Sequence, residues 1–210
     1  MEITWLGHSC FRLKGKGATV LTDPFDASTG YVLGRPTADV VTVSVDLPDH
    51  NHVGDVAGEP TVIDGPGEYE VAGVLITGIS SPAAGEPPGR NTIYIMEMDD
   101  LRLCHLGDLA SSPKNDLVET VGAVDVLMVP VGGHNTMDAS QALETISVLQ
   151  PKVVIPMHYR TSLFGPDLET LDRFLREMGV KEPVLQNKLS VTRAGLPETT
   201  QVIVMEPKAS

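Results

Sequence analysis

Short apolar blocks, each closed by a polar or turn-forming residue, run through the first half of the chain. Residues 1–6, 10–13, 18–22 and 38–43 alternate or stay apolar, with Gly7-His8-Ser9, Gly15-Lys16-Gly17 and Asp23-Pro24-Phe25 among the breaks. Blocks of this length and period predict strands. The pattern continues over 61–63, 69–71, 74–79, 91–98 and 101–104, with one hairpin turning at Gly73 and another at Asp99-Asp100. Residues 54–60 are bracketed by Gly54, Gly58 and Pro60, which leaves no room for a full helix. Residues 80–89, rich in Pro, Gly and Ala without an apolar period, read as a loop. Later the period lengthens. A weak helical pattern covers 114–121 and a buried strand follows over 124–129. Asp138 or Thr136 caps a helix that runs to about Leu149, with Ala142, Ile146 and Leu149 on one face. After a strand over 153–155, residues 168–178 form an amphipathic helix with Leu171, Phe174, Leu175 and Met178 inward. Late strands are predicted over 184–186, 189–192 and 201–205. Strands lead, helices are few, and a strand-helix-strand unit repeats near the end, so the class is α/β.

Composition narrows the picture. With 210 residues and 41% hydrophobic content, one domain spanning 1–210 with a sizeable core is expected. No apolar run approaches the ~20 residues of a membrane span, and the start, Met1-Glu2-Ile3-Thr4-Trp5, is strand-like without a basic segment. A cytoplasmic protein without a membrane role is the expectation. The formal charge of −13 argues against a nucleic-acid partner, because a groove that tracks phosphates needs a basic stripe. Cys10 and Cys104 fall inside apolar blocks and outside any Cys-x-x-Cys spacing, so both are expected as buried thiols.

Candidate chemistry gathers at strand ends. The strand over 38–43 runs into Ser44-Val45-Asp46-Leu47-Pro48-Asp49-His50-Asn51-His52. Asp and neutral His are ligands for Zn²⁺ and similar cations, although Pro48, Asp49 and Asn51 are also good turn residues. The strand over 101–104 runs into His105-Leu106-Gly107-Asp108, and the one over 153–155 into Pro156-Met157-His158-Tyr159. His8 and Asp23 close earlier strands, and His134 sits in a Gly-rich loop, Val131-Gly132-Gly133-His134. For His8, His105 and His134 a hydrogen-bonding or packed role competes with a role at a metal.

The loop over 45–50 resembles the signature of the metallo-β-lactamase fold, a strand followed by His-x-His-x-Asp-His. Asp49 and His50 match its last two residues, while Val45 and Leu47 stand at the first two and cannot bind metal. The Gly7-His8-Ser9 start with Asp23-Pro24-Phe25, the Gly107-Asp108 pair, and the run from Pro130-Val131-Gly132-Gly133 through Thr136-Met137-Asp138 to Lys152-Val153-Val154-Ile155-Pro156-Met157-His158-Tyr159 are similar to a lactonase-like, Zn-dependent hydrolase branch of that family. The resemblance spans nearly the whole chain and implies a four-layer αββα sandwich. It implies that one metal position is kept, on Asp49, His50, Asp108 and His158, with Asp108 the carboxylate that bridges two metals in the family. The other position is lost, with Val45, Leu47 and Ser81 where its histidines would stand. His8, His105 and His134 would then lie around the ligands.

The resemblance therefore implies one divalent ion (Zn²⁺, Mn²⁺ or Fe²⁺) or none, with Asp49 or Asp108 orienting or deprotonating water. The expected activity is metal-dependent hydrolysis of an ester, lactone or phosphoester. The alternative is an inactive family member kept for binding a small-molecule ligand or a partner.

Overall fold

The computed structural model describes residues 1–83, 89–113 and 115–207. The chain opens with β1 (Glu2–Gly7), β2 (Cys10–Lys14) and β3 (Thr19–Thr22), then β4 (Val40–Thr42) and β5 (Thr61–Ile63). A meander follows: β6 (Gly67–Val71), β7 (Val74–Pro82), β8 (Arg90–Met98) and β9 (Leu101–His105). Helix α1 (Asn115–Val121) leads to β10 (Val126–Pro130), α2 (Ala139–Leu149) to β11 (Val153–Met157), and α3 (Leu171–Glu177) to β12 (Val184–Gln186). The short β13 (Leu189–Ser190) and β14 (Gln201–Met205) complete the described strands.

These strands form two mixed sheets. One has the order β13-β1-β2-β3-β4-β5, the other β12-β14-β11-β10-β9-β8-β7-β6. In the first, β2 is antiparallel to both β1 and β3, so β1 and β3 point the same way, and β3, β4 and β5 are parallel. In the second, β9, β10, β11 and β14 are parallel. Parallel neighbours need crossover connections, which α1, α2 and α3 supply. The C-terminal ends of β1, β3 and β4 thus share one edge, as do those of β9, β10 and β11. The two edges are joined where Thr92 N–H donates to Ser44 C=O at 2.8 Å and Tyr94 Oη donates toward the carbonyls of Val43 and Ile63 at 2.9 and 3.0 Å.

Alternation along the strands explains the layers. Val20 and Val40 point into the main core between the sheets, with Phe11, Leu13, Ile93, Ile95 and Leu103. Their neighbours Leu21 and Val41 face the other way, into a second cluster with Phe25, Tyr31 and Leu33. The outer face of the first sheet is therefore covered by the segment after β3, which carries a 3-10 turn at Ala27–Thr29. Helix α2 starts as the sequence predicts, on an Asp138 cap, and Gln141 completes a capping box.

Some boundaries move. β7 runs on to Pro82 because β8 pairs with it as far as Ser81 opposite Asn91 and Pro82 opposite Arg90. Of the loop predicted over 80–89, residues 84–88 lie outside the described residues, as does Lys114 at the start of the predicted helix over 114–121. α3 begins at Leu171 and not at 168, because Glu169 already spends its backbone on Gly132 C=O (2.7 Å) and Arg160 N–H (2.9 Å). The strand predicted over 189–192 stops at Ser190, and Thr192 leads into a 3-10 turn at Arg193–Gly195. Among the described residues no helix is long and apolar enough to cross a membrane.

Candidate metal centre

Four side chains from three strand ends converge at the shared edge. His8 follows β1, Asp49 and His50 follow β4, and His158 follows β11. One ligand atom from each lies within 4.8 Å of every other. His8 Nε2 stands 3.3 Å from His50 Nε2 and 3.3 Å from Asp49 Oδ2. Two donors held at about 2.0–2.1 Å by one tetrahedral ion are about 3.4 Å apart, so these spacings suit a shared cation. Three imidazoles and a carboxylate are the donor chemistry of Zn²⁺ and neighbouring transition metals.

The local backbone is specialised. His8 (φ 52°), Asp23 (φ 39°) and His158 (φ 51°) all occupy the left-handed region, where L-residues are uncommon and which recurs at functional sites. The turn at 47–51 closes with His50 N–H and Asn51 N–H both donating to Leu47 C=O, at 2.8 and 2.9 Å. It docks on the end of β3, where Asp26 N–H donates to Pro48 C=O (3.1 Å) and His52 N–H to Pro24 C=O (2.8 Å).

Asp23 orients His50. Its Oδ2 lies 2.8 Å from His50 Nδ1, while Ser44 donates its N–H to Oδ1 and its hydroxyl to Oδ2. With its Nδ1 proton on Asp23, neutral His50 turns the Nε2 lone pair toward the other donors. This is the carboxylate–histidine support that metal sites use. Burial opposes a charge on His50, but the Asp23 hydrogen bond and the surrounding carboxylates outweigh it and raise His50 to about 9. Burial pushes His8 down to about 4 and His158 well below the usual histidine range, so both are neutral near pH 7 with a lone pair available. For Asp49, burial favours the neutral acid, yet the hydrogen bond to His8 and the nearby imidazoles hold it below the usual carboxylate range.

The remaining predicted residues take distinct places. Asp108 stands outside the four-donor group, with Oδ1 3.4 Å from His158 Nε2 but no hydrogen bond to that oxygen. Burial lifts its carboxyl to about 6. Gly107 makes the turn into Asp108 at φ 62°, and a Cβ there would stand 2.4 Å from Asn91 Oδ1 and 2.5 Å from Ser44 Cβ. Asn91 Oδ1 in turn accepts the Asp108 N–H at 2.9 Å. His105 is a buried strut: its Nε2–H donates to Ser9 C=O (2.9 Å) and its Nδ1 accepts from Gly107 N–H (3.2 Å). His134 is exposed in the loop after β10 and is not among the gathered donors. Val45 is buried, Leu47 is 43% exposed, and Ser81 Oγ accepts from Asn91 Nδ2 at 2.8 Å. Ser44, Asn91 and Phe164 gave no signal in the sequence. Phe164 lies in a loop, yet its ring meets the His8 ring edge-on at 4.5 Å between centroids.

Comparison with known proteins shows the family and the fold. Residues 2–158 match the beta-lactamase superfamily domain. A candidate Zn-dependent hydrolase of the metallo-β-lactamase superfamily from Thermotoga maritima superposes with a TM-score of 0.83 and 38% identity, covering 98% of each chain. The chain belongs to the metallo-β-lactamase superfamily. Within it, a UPF0173 metal-dependent hydrolase of Methanoregula boonei is 30% identical over 77% of this chain and 83% of its own length. One from Pyrococcus horikoshii is 29% identical over 88% and 95%. The superfamily fold accounts for the two mixed sheets and for the convergence of loops at one edge.

Proposed function

We propose that this superfamily member is a hydrolase built on a single divalent metal held by His8, Asp49, His50 and His158. The observation that carries the reading is the convergence of these four donors, with Asp23 fixing the His50 ring behind them. The names of its relatives, metal-dependent hydrolases, support the reaction class. Val45, Leu47 and Ser81 support one metal and not two. By the resemblance, Val45 and Leu47 stand at the two histidines of the signature and Ser81 at a third on another strand end, and Ser81 is already bonded to Asn91.

Four protein donors close a tetrahedral site, so a metal held by His8, Asp49, His50 and His158 would need room for one further ligand to supply a Lewis acid and a water made acidic enough to react near neutral pH. The chain's own residues do the rest. Asp108 sits beside His158 with an oxygen free of hydrogen bonds and a carboxyl raised to about 6, so it can accept a proton near the donors and return it to a leaving group. Asp49, ionised and partly exposed, orients water at the mouth of the site. A small molecule with an ester, lactone or phosphoester bond is the substrate class. A cavity of about 520 Å³ is lined by Val45 and Asn51 of the same loop, with Asp64, Arg90 and Thr92 among others. That volume suits the non-reacting part of a small ligand.

The test is a panel of p-nitrophenyl esters, lactones and phosphodiesters with metal-loaded protein. Metal-dependent turnover that falls by at least about 100-fold in Asp108→Asn, within the range for a lost general base, supports the reading. Tight metal binding without turnover across all three classes would favour the ligand-binding alternative.

A further inference from the structure

The four donors differ in what orients them. A metal-binding histidine is normally fixed by a hydrogen bond at its other ring nitrogen. His50 has Asp23 in that role. His8 Nδ1 and His158 Nδ1 are both buried with no hydrogen-bond partner among the described residues, and His8 is the one of the two whose ring meets Phe164. Its backbone is held, since Trp5 Nε1–H donates to His8 C=O at 2.9 Å. Asp49 Oδ2 reaches its Nε2 at 3.3 Å, and the rings of His50, His158 and Phe164 meet its own.

Phe164 is itself fixed. Thr161 N–H donates to Phe164 C=O at 3.0 Å, and the N–H groups of Leu163 and Phe164 both donate to Thr161 Oγ1 at 3.3 Å. The Thr161 hydroxyl lies 2.7 Å from the Tyr31 hydroxyl, which ties this turn to the segment after β3. Gly30 admits the turn: a Cβ there would stand 2.7 Å from Leu163 C=O. The phenyl ring packs on the cluster that contains Tyr31 and Phe25. Exposure points the same way. The side chains of His8 and His50 are fully buried and that of His158 is 8% exposed, while Asp49 is 24% exposed.

We propose that Phe164 is a positioning residue of the metal centre, holding the His8 imidazole as a donor by edge-to-face packing and sealing that side of the centre, so that ligands enter beside Asp49. The proposal rests on the single-metal reading above. In that arrangement packing replaces the hydrogen bond His8 lacks at Nδ1, and the substrate presents its scissile group from the Asp49 side.

The experiment loads the full chain with Co²⁺, records its visible ligand-field spectrum, and measures removal of the ion by excess chelator. Phe164→Ala is expected to alter the spectrum and speed removal roughly 10- to 100-fold, the range for lost support of a ligating histidine. Phe164→Tyr, which keeps the ring, restores both toward wild type, and Leu163→Ala, exposed on the same turn, leaves both unchanged. Tyr31→Phe, which unties the turn without touching His8, speeds removal by a smaller factor. A folded Phe164→Ala protein with wild-type spectrum and rate overturns the proposal, as does equal acceleration in Leu163→Ala. Should Phe164→Ala not fold, an unchanged rate in Tyr31→Phe overturns it. Wild-type protein that takes up no Co²⁺ overturns the metal reading itself, a separate outcome visible before any variant is made.

Discussion

Asp23 belongs to none of the four donors, yet it determines what His50 can do. Its carboxylate is fully buried, takes two hydrogen bonds from Ser44 and one from His50, and is held below the usual carboxylate range although burial alone would raise it. In the metal-free protein His50 is raised to about 9, so a proton must leave before its Nε2 can take a metal. The sign follows: apparent zinc affinity rises with pH, about tenfold per unit for one proton, and levels off near 9. Asp23→Asn removes the charge that holds this proton. The climb should then end at a lower pH, and the affinity on the plateau should fall roughly 10- to 100-fold. Chelator-competition titrations across pH read both effects. An Asp23→Asn plateau equal to that of wild type would show that Asp23 serves the fold and not the site.

At the scale of elements, the strand ends position the site, and one side chain spans the gap between the sheets. Tyr94 on β8 is fully buried and directs its hydroxyl at the carbonyls of Val43 and Ile63, just past β4 and at the end of β5. Tyr94→Phe leaves Val43 C=O without this donor at the base of the loop that carries Asp49 and His50. Unfolding free energy in urea should drop by about 1–3 kcal/mol, the cost of a buried group left unpaired. A loss below about 0.5 kcal/mol would mean the two edges are held by other contacts. Most elements were legible because their signals are local: period-two blocks for β1 to β4, a cap and an apolar face for α2. The boundaries that moved depended on partners distant in sequence, such as β8 extending β7 through Ser81 and Pro82, or Gly132 claiming the backbone of Glu169. The site divides the same way. Asp49, His50 and His158 announce themselves by following apolar strands. The joining of His8 to them depends on β1 and β4 ending at one edge, and the role of Phe164 depends on a loop folding back. No local pattern encodes either.

At the scale of the molecule, two mixed sheets bring loops from distant parts of the chain to one line. The donors lie in the sequence from residue 8 to residue 158, and cross-sheet bonds such as Thr92 N–H to Ser44 C=O hold the two edges together. The four side chains gathered there are donors that one ion could share. His8 stands among the donors, and Asp108 beside them. The most direct test is metal stoichiometry by elemental analysis after zinc loading and desalting, for wild type, His8→Ala and Asp108→Ala. One equivalent in wild type, strongly reduced in His8→Ala and retained in Asp108→Ala, is the predicted result. Two equivalents in wild type, or one that survives His8→Ala and disappears in Asp108→Ala, would contradict it.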